Sequence, residues 1–167
     1  MEEIVNRVAN SALTVFDLED YFPSAPIVGV DISQWLEEGF LLREKDYRER
    51  LKNEDWSRFQ GKYVHVYCST DAIVPTWASL LVMVYLQPVA EFVQLGTEED
   101  LLISYYEKYL AALDFTTFQD KPIILKGCSR KPVPSSAYIT ALRYLQNQAK
   151  SIMFGEACSA VPLYKKK

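Results

Sequence analysis

The sequence predicts an α/β fold: a mainly parallel sheet with helices on both faces, an internally duplicated βαβ unit, and an N-terminal hairpin and helix appended. Three observations carry this prediction. β-rich stretches alternate with helical ones through the second half of the chain. Residues 62–96 and 121–155 repeat one plan of strand, Cys-Ser loop, Val-Pro, helix and strand. The chain is 167 residues long, 49% hydrophobic and 24% charged, which suits a single domain (1–167) with one core and argues against disorder.

Taken in order, residues 2–10 predict a short helix. Residues 13–18 and 26–32 predict two strands separated by the turn-forming Asp20-Tyr21-Phe22-Pro23-Ser24, a hairpin within an N-terminal region spanning 1–60. The charged run 43–50 sets acid and base three or four residues apart, as on an exposed, salt-bridged helix. Residues 62–67 are β-rich and lead into Cys68, after which Pro75 opens an apolar helix that Pro88 stops. Residues 90–95 predict a strand closed by Gly96. Thr97-Glu98-Glu99-Asp100 then supplies the cap and N-terminal acids of a helix reaching Leu113. On that helix Leu102, Tyr105, Tyr106, Tyr109, Leu110 and Leu113 follow the three-four spacing of a buried stripe. Strand, helix and strand are expected at 121–127, 134–146 and 151–154, before a tail at 156–167.

The repeat holds one offset throughout: Pro75 matches Pro134, Ala78 matches Ala137, Tyr85-Leu86-Gln87 matches Tyr144-Leu145-Gln146, and Gly96 matches Gly155. Only Cys68 and Cys128 slip by one residue. A shorter third version, Cys158-Ser159-Ala160-Val161-Pro162, comes after the second unit. Right-handed crossovers would bring the first two loops to one carboxyl-end edge of the sheet, where ligands usually bind. Three cysteines make no disulfide framework, and a thiolate is favoured where backbone N–H groups and a helix N-terminus face it. The expectation is therefore a metal or iron–sulfur protein. Its ligands are Cys68, Cys128 and Cys158, with Ser69, Asp71, Ser129, Ser159 and Glu156 as supporting loop residues. The cofactor is an iron–sulfur cluster or a single iron or zinc ion. No Cys-x-x-Cys pair is present, so a closed zinc site is disfavoured, and a fourth ligand falls to Asp71, Glu156, His65 or an external group.

Two alternatives use the same residues. One is thiol or sulfur-transfer chemistry, with Cys158 on the tail as a resolving thiol for Cys68 or Cys128. The other is a protein-interaction domain with structural cysteines, its apolar surface drawn from the eleven tyrosines. No catalytic residue is named by the pattern.

Other classes are excluded more directly. With 18 basic and 22 acidic residues the net charge is −4, so no global basic field attracts a nucleic acid. Lys165-Lys166-Lys167 reads as a solvated end. The apolar run from Trp77 to Leu86 is about half the length that crosses a bilayer, so no membrane partner is expected. The acidic start Met-Glu-Glu-Ile lacks the basic region of a secretory signal, and the cytoplasm is the expected compartment. His65 is the single histidine, which excludes a Ser-His-Asp triad, and strand parity places it on the face opposite Cys68. No phosphate-binding or dinucleotide pattern occurs.

Several segments taken together resemble a known family: Glu3-Ile4-Val5-Asn6-Arg7-Val8-Ala9, Leu42-Arg43-Glu44-Lys45-Asp46, Ala72-Ile73-Val74-Pro75-Thr76-Trp77-Ala78, Lys126-Gly127-Cys128-Ser129, Lys150-Ser151-Ile152-Met153, and Cys158 through Lys165. The chain resembles, over essentially its whole length, the bacterial family known as domain of unknown function 2480. The resemblance implies no established activity. It does imply an association with sulfur mobilisation for iron–sulfur cluster assembly, which makes assembly proteins the expected partners and an accessory factor the expected role.

Overall fold

The computed structural model describes residues 13–127 and 129–167, so the helix expected at 2–10 and the side chain of Cys128 lie outside the described residues. The elements in chain order are β1 (Thr14–Asp17), β2 (Ile27–Asp31), α1 (Glu44–Lys52), β3 (Tyr63–Tyr67), α2 (Thr76–Leu86), β4 (Phe92–Leu95), α3 (Glu98–Ala111), β5 (Pro122–Lys126), α4 (Ser135–Gln146), β6 (Ser151–Phe154) and β7 (Val161–Lys165). Helices and strands alternate, and the chain is of the α/β class.

The chain divides into two compact units, an inner one at Pro23–Tyr105 and an outer one made of Met1–Phe22 together with Tyr106–Lys167. The inner unit carries a sheet of order β2-β3-β4, all parallel. The outer unit carries β1-β5-β6-β7, parallel except for β7, which runs antiparallel to β6. Where the sequence predicts one sheet, there are two.

The expected N-terminal hairpin does not form. Strand β1 lies parallel to β5, with Phe16 opposite Leu125, and β2 lies parallel to β3, with Val30 opposite Val66. The reason is local. The segment after β1 is a 3-10 turn, Leu18–Tyr21, held by the Asp17 carboxylate accepting the Glu19 N–H at 3.0 Å, instead of the tight two-residue turn that reverses a strand onto its neighbour.

The duplication is larger than the sequence repeat showed. The inner unit reads strand, 3-10 turn, helix, 3-10 turn, strand, helix, strand: β2, Ile32–Trp35, α1, Trp56–Phe59, β3, α2, β4. The same order recurs in β1, Leu18–Tyr21, the C-terminal part of α3, Phe115–Phe118, β5, α4 and β6 of the outer unit, the inner unit being inserted after its first turn and ending within α3. Equivalent residues do equivalent work. Asp55 and Asp114 cap the second 3-10 turns, accepting the N–H groups of Ser57 and Thr116 at 3.1 and 3.0 Å. Each turn is followed by a left-handed residue, Gly61 at φ 66° and Asp120 at φ 55°. Trp56 stacks on Tyr85 at 5.1 Å, and Phe115 on Tyr144 at 5.0 Å.

Each unit has its own buried set. The inner core gathers Val30, Ile32, Leu51, Val64, Val66, Val82 and Leu86. In the outer unit Phe16, Leu18, Leu110, Ile123, Leu125, Leu145 and Ile152 are buried. The charged helix α1 is anchored by buried Tyr47 and Leu51, whose equivalents on α3 are the buried Tyr106 and Leu110. Of the stripe expected on α3, Leu102, Tyr105, Tyr106 and Leu110 are buried, while Tyr109 is exposed and Leu113 half-buried.

Candidate functional site

In each unit the loop between the second strand and its following helix is tied down by a carboxylate at or just after the end of the first strand. In the inner unit Asp31 ends β2. Its Oδ1 accepts the Ser33 N–H at 3.0 Å and the Ser69 N–H at 3.1 Å, and its Oδ2 accepts the Ser69 hydroxyl at 2.5 Å. Thr70 donates its hydroxyl to Gly39 O at 2.6 Å, which fixes the next residue of the loop. Burial works against ionisation of Asp31, but the Ser69 hydroxyl and the N–H groups of Ser33 and Ser69 outweigh it and hold the carboxyl below its usual range.

In the outer unit Glu19 takes this part, reaching from the first 3-10 turn. Its Oε1 accepts the N–H groups of Ser129 at 2.5 Å and Arg130 at 2.7 Å, and the Ser129 hydroxyl at 3.1 Å. The Lys131 N–H lies 3.4 Å from the same oxygen, and Arg130 Nε 3.4 Å from Oε2. The Glu19 residue is only 3% exposed. The Arg130 N–H, acting against desolvation and joined by the hydroxyl and N–H of Ser129 and the N–H of Lys131, lowers its carboxyl to about 2. Consecutive N–H groups converging on one anion form a nest, and here the anion belongs to the chain itself. The two tethers differ in position: Glu19 stands two residues past Asp17, the equivalent of Asp31, and meets its loop from Ser129 onward where Asp31 meets Ser69.

Both loops end alike. Pro75 and Pro134 stand at the helix starts with φ −67°, ψ 148° and φ −68°, ψ 148°, an extended geometry that delivers the chain into α2 and α4.

The expected metal centre is not present among the described residues. Among the described residues, no group of three or more His, Cys, Asp or Glu side chains is placed to hold a metal ion. This overturns the expectation of a metal or iron–sulfur protein; of its expected ligands Cys68, Cys128 and Cys158, Cys128 lies outside the described residues. Each of the two described cysteines has its own local setting, Cys68 in the inner unit and Cys158 in the outer one. Cys68 is half-buried against the inner core, with its Sγ 3.5 Å from Thr70 Oγ1, as a small apolar side chain would be. Cys158 is exposed in the turn joining β6 to β7, so the third motif is a hairpin whose Val161 and Pro162 lie in a strand, and the segment expected as a tail is part of the sheet.

The supporting residues are likewise committed elsewhere. Ser69 and Ser129 bond carboxylates. The Ser159 N–H donates to Glu156 O at 2.9 Å within the hairpin turn, and the Glu156 carboxylate stands 3.5 Å from Lys126 Nζ, which also faces Asp17 at 3.4 Å. Asp71 lines a hollow beside α2. The tethers Asp31 and Glu19 were missed from sequence. Their signal is the pair Asp17-Leu18-Glu19 and Asp31-Ile32-Ser33, each a strand-ending acid, a buried aliphatic and a second polar residue.

A different feature emerges on the inner unit. The solvent-facing side of α2 is apolar along its length, through Trp77, Leu80 (58% exposed) and Val84 (63%). Ile73 precedes them, 91% exposed. Beside it lies a hollow of about 590 Å³ lined by Phe40, Leu41, Leu42, Ile73, Pro75 and Trp77, with Glu44 and Asp71. Two ion pairs lie near it, Arg48 with Glu44 at 2.9 Å and Arg43 with Glu37. The Arg48 guanidinium also lies 5.4 Å from the Trp77 ring centre. The equivalent helix of the outer unit differs. Ile139 there matches Leu80, but Ser136 and Arg143 replace Trp77 and Val84, and Pro132 replaces Ile73.

Fold and surface together define a duplicated α/β protein with carboxylate-tethered loops and one apolar helix face. The chain belongs to the family described as protein of unknown function (DUF2480), whose profile matches residues 2–166. No curated protein and no solved structure matches the chain. Among the described residues, no helix is long and apolar enough to cross a membrane.

Proposed function

We propose that this chain is a protein-binding module that docks through the outer face of α2 and the adjoining hollow. The observation that supports the reading is the contrast between duplicates. Helices α2 and α4 occupy the same place in the same local fold, yet α4 presents Arg143 to solvent where α2 presents Val84, and carries the small, half-buried Ser136 where α2 carries the exposed Trp77. The fold itself therefore tolerates a charged residue at the Val84 position and needs no large apolar side chain at the Trp77 position. Keeping large apolar side chains in water brings no folding gain, and contiguous patches beyond a few hundred Å² are characteristic of interaction sites. Aromatic residues, and an arginine set over one of them, are the side chains that interfaces favour.

The test is site-specific photo-crosslinking in cells, with the reactive residue replacing Gln87 at the edge of the α2 face and, as control, its equivalent Gln146 on α4. The expected outcome is a discrete adduct at position 87 that is lost in the Leu80→Asp background and absent at position 146. No adduct at 87, or equal adducts at both positions, refutes the proposal.

A further inference from the structure

We infer that the occupant of this face is a second copy of the same chain, packed about a two-fold axis; the inference rests on the docking role proposed above. Three observations select this partner. The first is area. Taking roughly 200 Å² for a fully exposed large side chain, Phe40, Leu41, Ile73, Trp77, Leu80 and Val84 leave on the order of 700 Å² of surface in water. That is close to the ~800 Å² each partner contributes to a standard interface.

The second is shape. A two-fold interface brings one patch against itself, so whatever protrudes from it must meet a recess in the same patch. Ile73, the most exposed of these apolar side chains, lines the hollow together with Phe40, Leu41 and Trp77. Knob and hole therefore lie side by side, and a two-fold rotation offers each to the other.

The third is charge. The chain carries −4 overall, which opposes self-association in general. Around this face, however, Arg43 is paired with Glu37 and Arg48 with Glu44. These two pairs therefore neither repel their copies nor recruit an oppositely charged partner, which leaves the exposed Asp71 as the charge of the hollow that the two-fold must keep in water. Duplication supplies a control within the molecule: Val84 is matched by Arg143 on α4, so Val84→Arg installs a residue the same fold already tolerates and places like charges across the axis.

Sedimentation velocity of the full-length chain over a wide concentration range tests the inference. Wild type should sediment as a dimer at high concentration. Val84→Arg should weaken association about tenfold or more, with an unchanged far-UV spectrum and melting temperature, and Leu80→Asp should do the same by an independent route. A wild type that stays monomeric at hundreds of micromolar, or variants that dimerise as tightly as wild type, overturns the inference. The crosslinking result separates the two levels. A monomeric protein with a discrete adduct to another protein at position 87 rejects the second copy and keeps the docking role. A monomeric protein with no adduct rejects both.

Discussion

Leu86 on α2 and Leu145 on α4 are equivalent residues, each fully buried in its own unit, and truncating them gives a direct measure of how the two cores are held. Leu86→Ala removes three carbons. At ~0.8 kcal/mol per buried methylene the transfer loss alone is roughly 2.4 kcal/mol. A cavity term is added because the site is closed by core side chains that relax only partly, so the expected cost is about 3–5 kcal/mol. Urea unfolding measures it. All three tryptophans, Trp35, Trp56 and Trp77, lie in the inner unit, so fluorescence reports that unit while far-UV circular dichroism reports both. With an m-value of about 2 kcal/mol per molar, the fluorescence midpoint of Leu86→Ala should fall by roughly 1.5–2.5 M. Leu145→Ala removes the same volume from an equally closed position and should lower the circular dichroism midpoint by a similar amount. A shift below about 0.5 kcal/mol for either variant would refute the assignment of that leucine to a packed core.

Glu19→Gln keeps the shape of the outer tether but removes its charge. The Glu19 carboxyl is lowered from 4.5 to about 2 in the folded chain, so its contribution is complete above 4.5 and is lost as pH falls through 2. Glu19→Gln should melt lower at neutral pH and show a shallower loss of stability between pH 5 and 2; a wild-type advantage that is constant across that range would contradict the tether. Tyr106→Phe deletes the buried hydrogen bond from its hydroxyl to Leu18 O at 2.7 Å, and Tyr47→Phe deletes the equivalent residue's bond to Ala78 O at 3.0 Å. Each should cost about 1–3 kcal/mol in thermal or urea unfolding, and an unchanged midpoint would show that the hydroxyl contributes nothing.

Much of the local structure was legible because short-range physics determines it. The β-rich run before Cys68, the prolines ahead of α2 and α4, and the acids opening α3 each act within a few residues, and the elements appear close to where the sequence places them. Periodicity also marked Tyr106 and Leu110 as buried, and exact spacing exposed the second half of the duplication. The first half escaped because α1 and α3 share a fold position with little sequence: only the anchoring Tyr47 and Leu51 correspond to Tyr106 and Leu110, and charge hid them in a helix that reads as wholly exposed.

The α/β class, most of the elements, and family membership over residues 2–166 were determined by the sequence alone. Pairing was decided only by the tertiary structure. That β1 joins β5 across the whole inserted unit, that Ser69 meets Asp31 and Ser129 meets Glu19, and that Cys68 falls in the inner unit and Cys158 in the outer one all depend on contacts between residues far apart in the chain. A repeated Cys-Ser…Val-Pro pattern specifies a loop's local path into the next element, a helix after Pro75 and Pro134 but a strand at Val161. It does not specify where that loop lies, because sheet order is set by which buried faces close against one another, a sum over many weak long-range contacts that no single motif encodes.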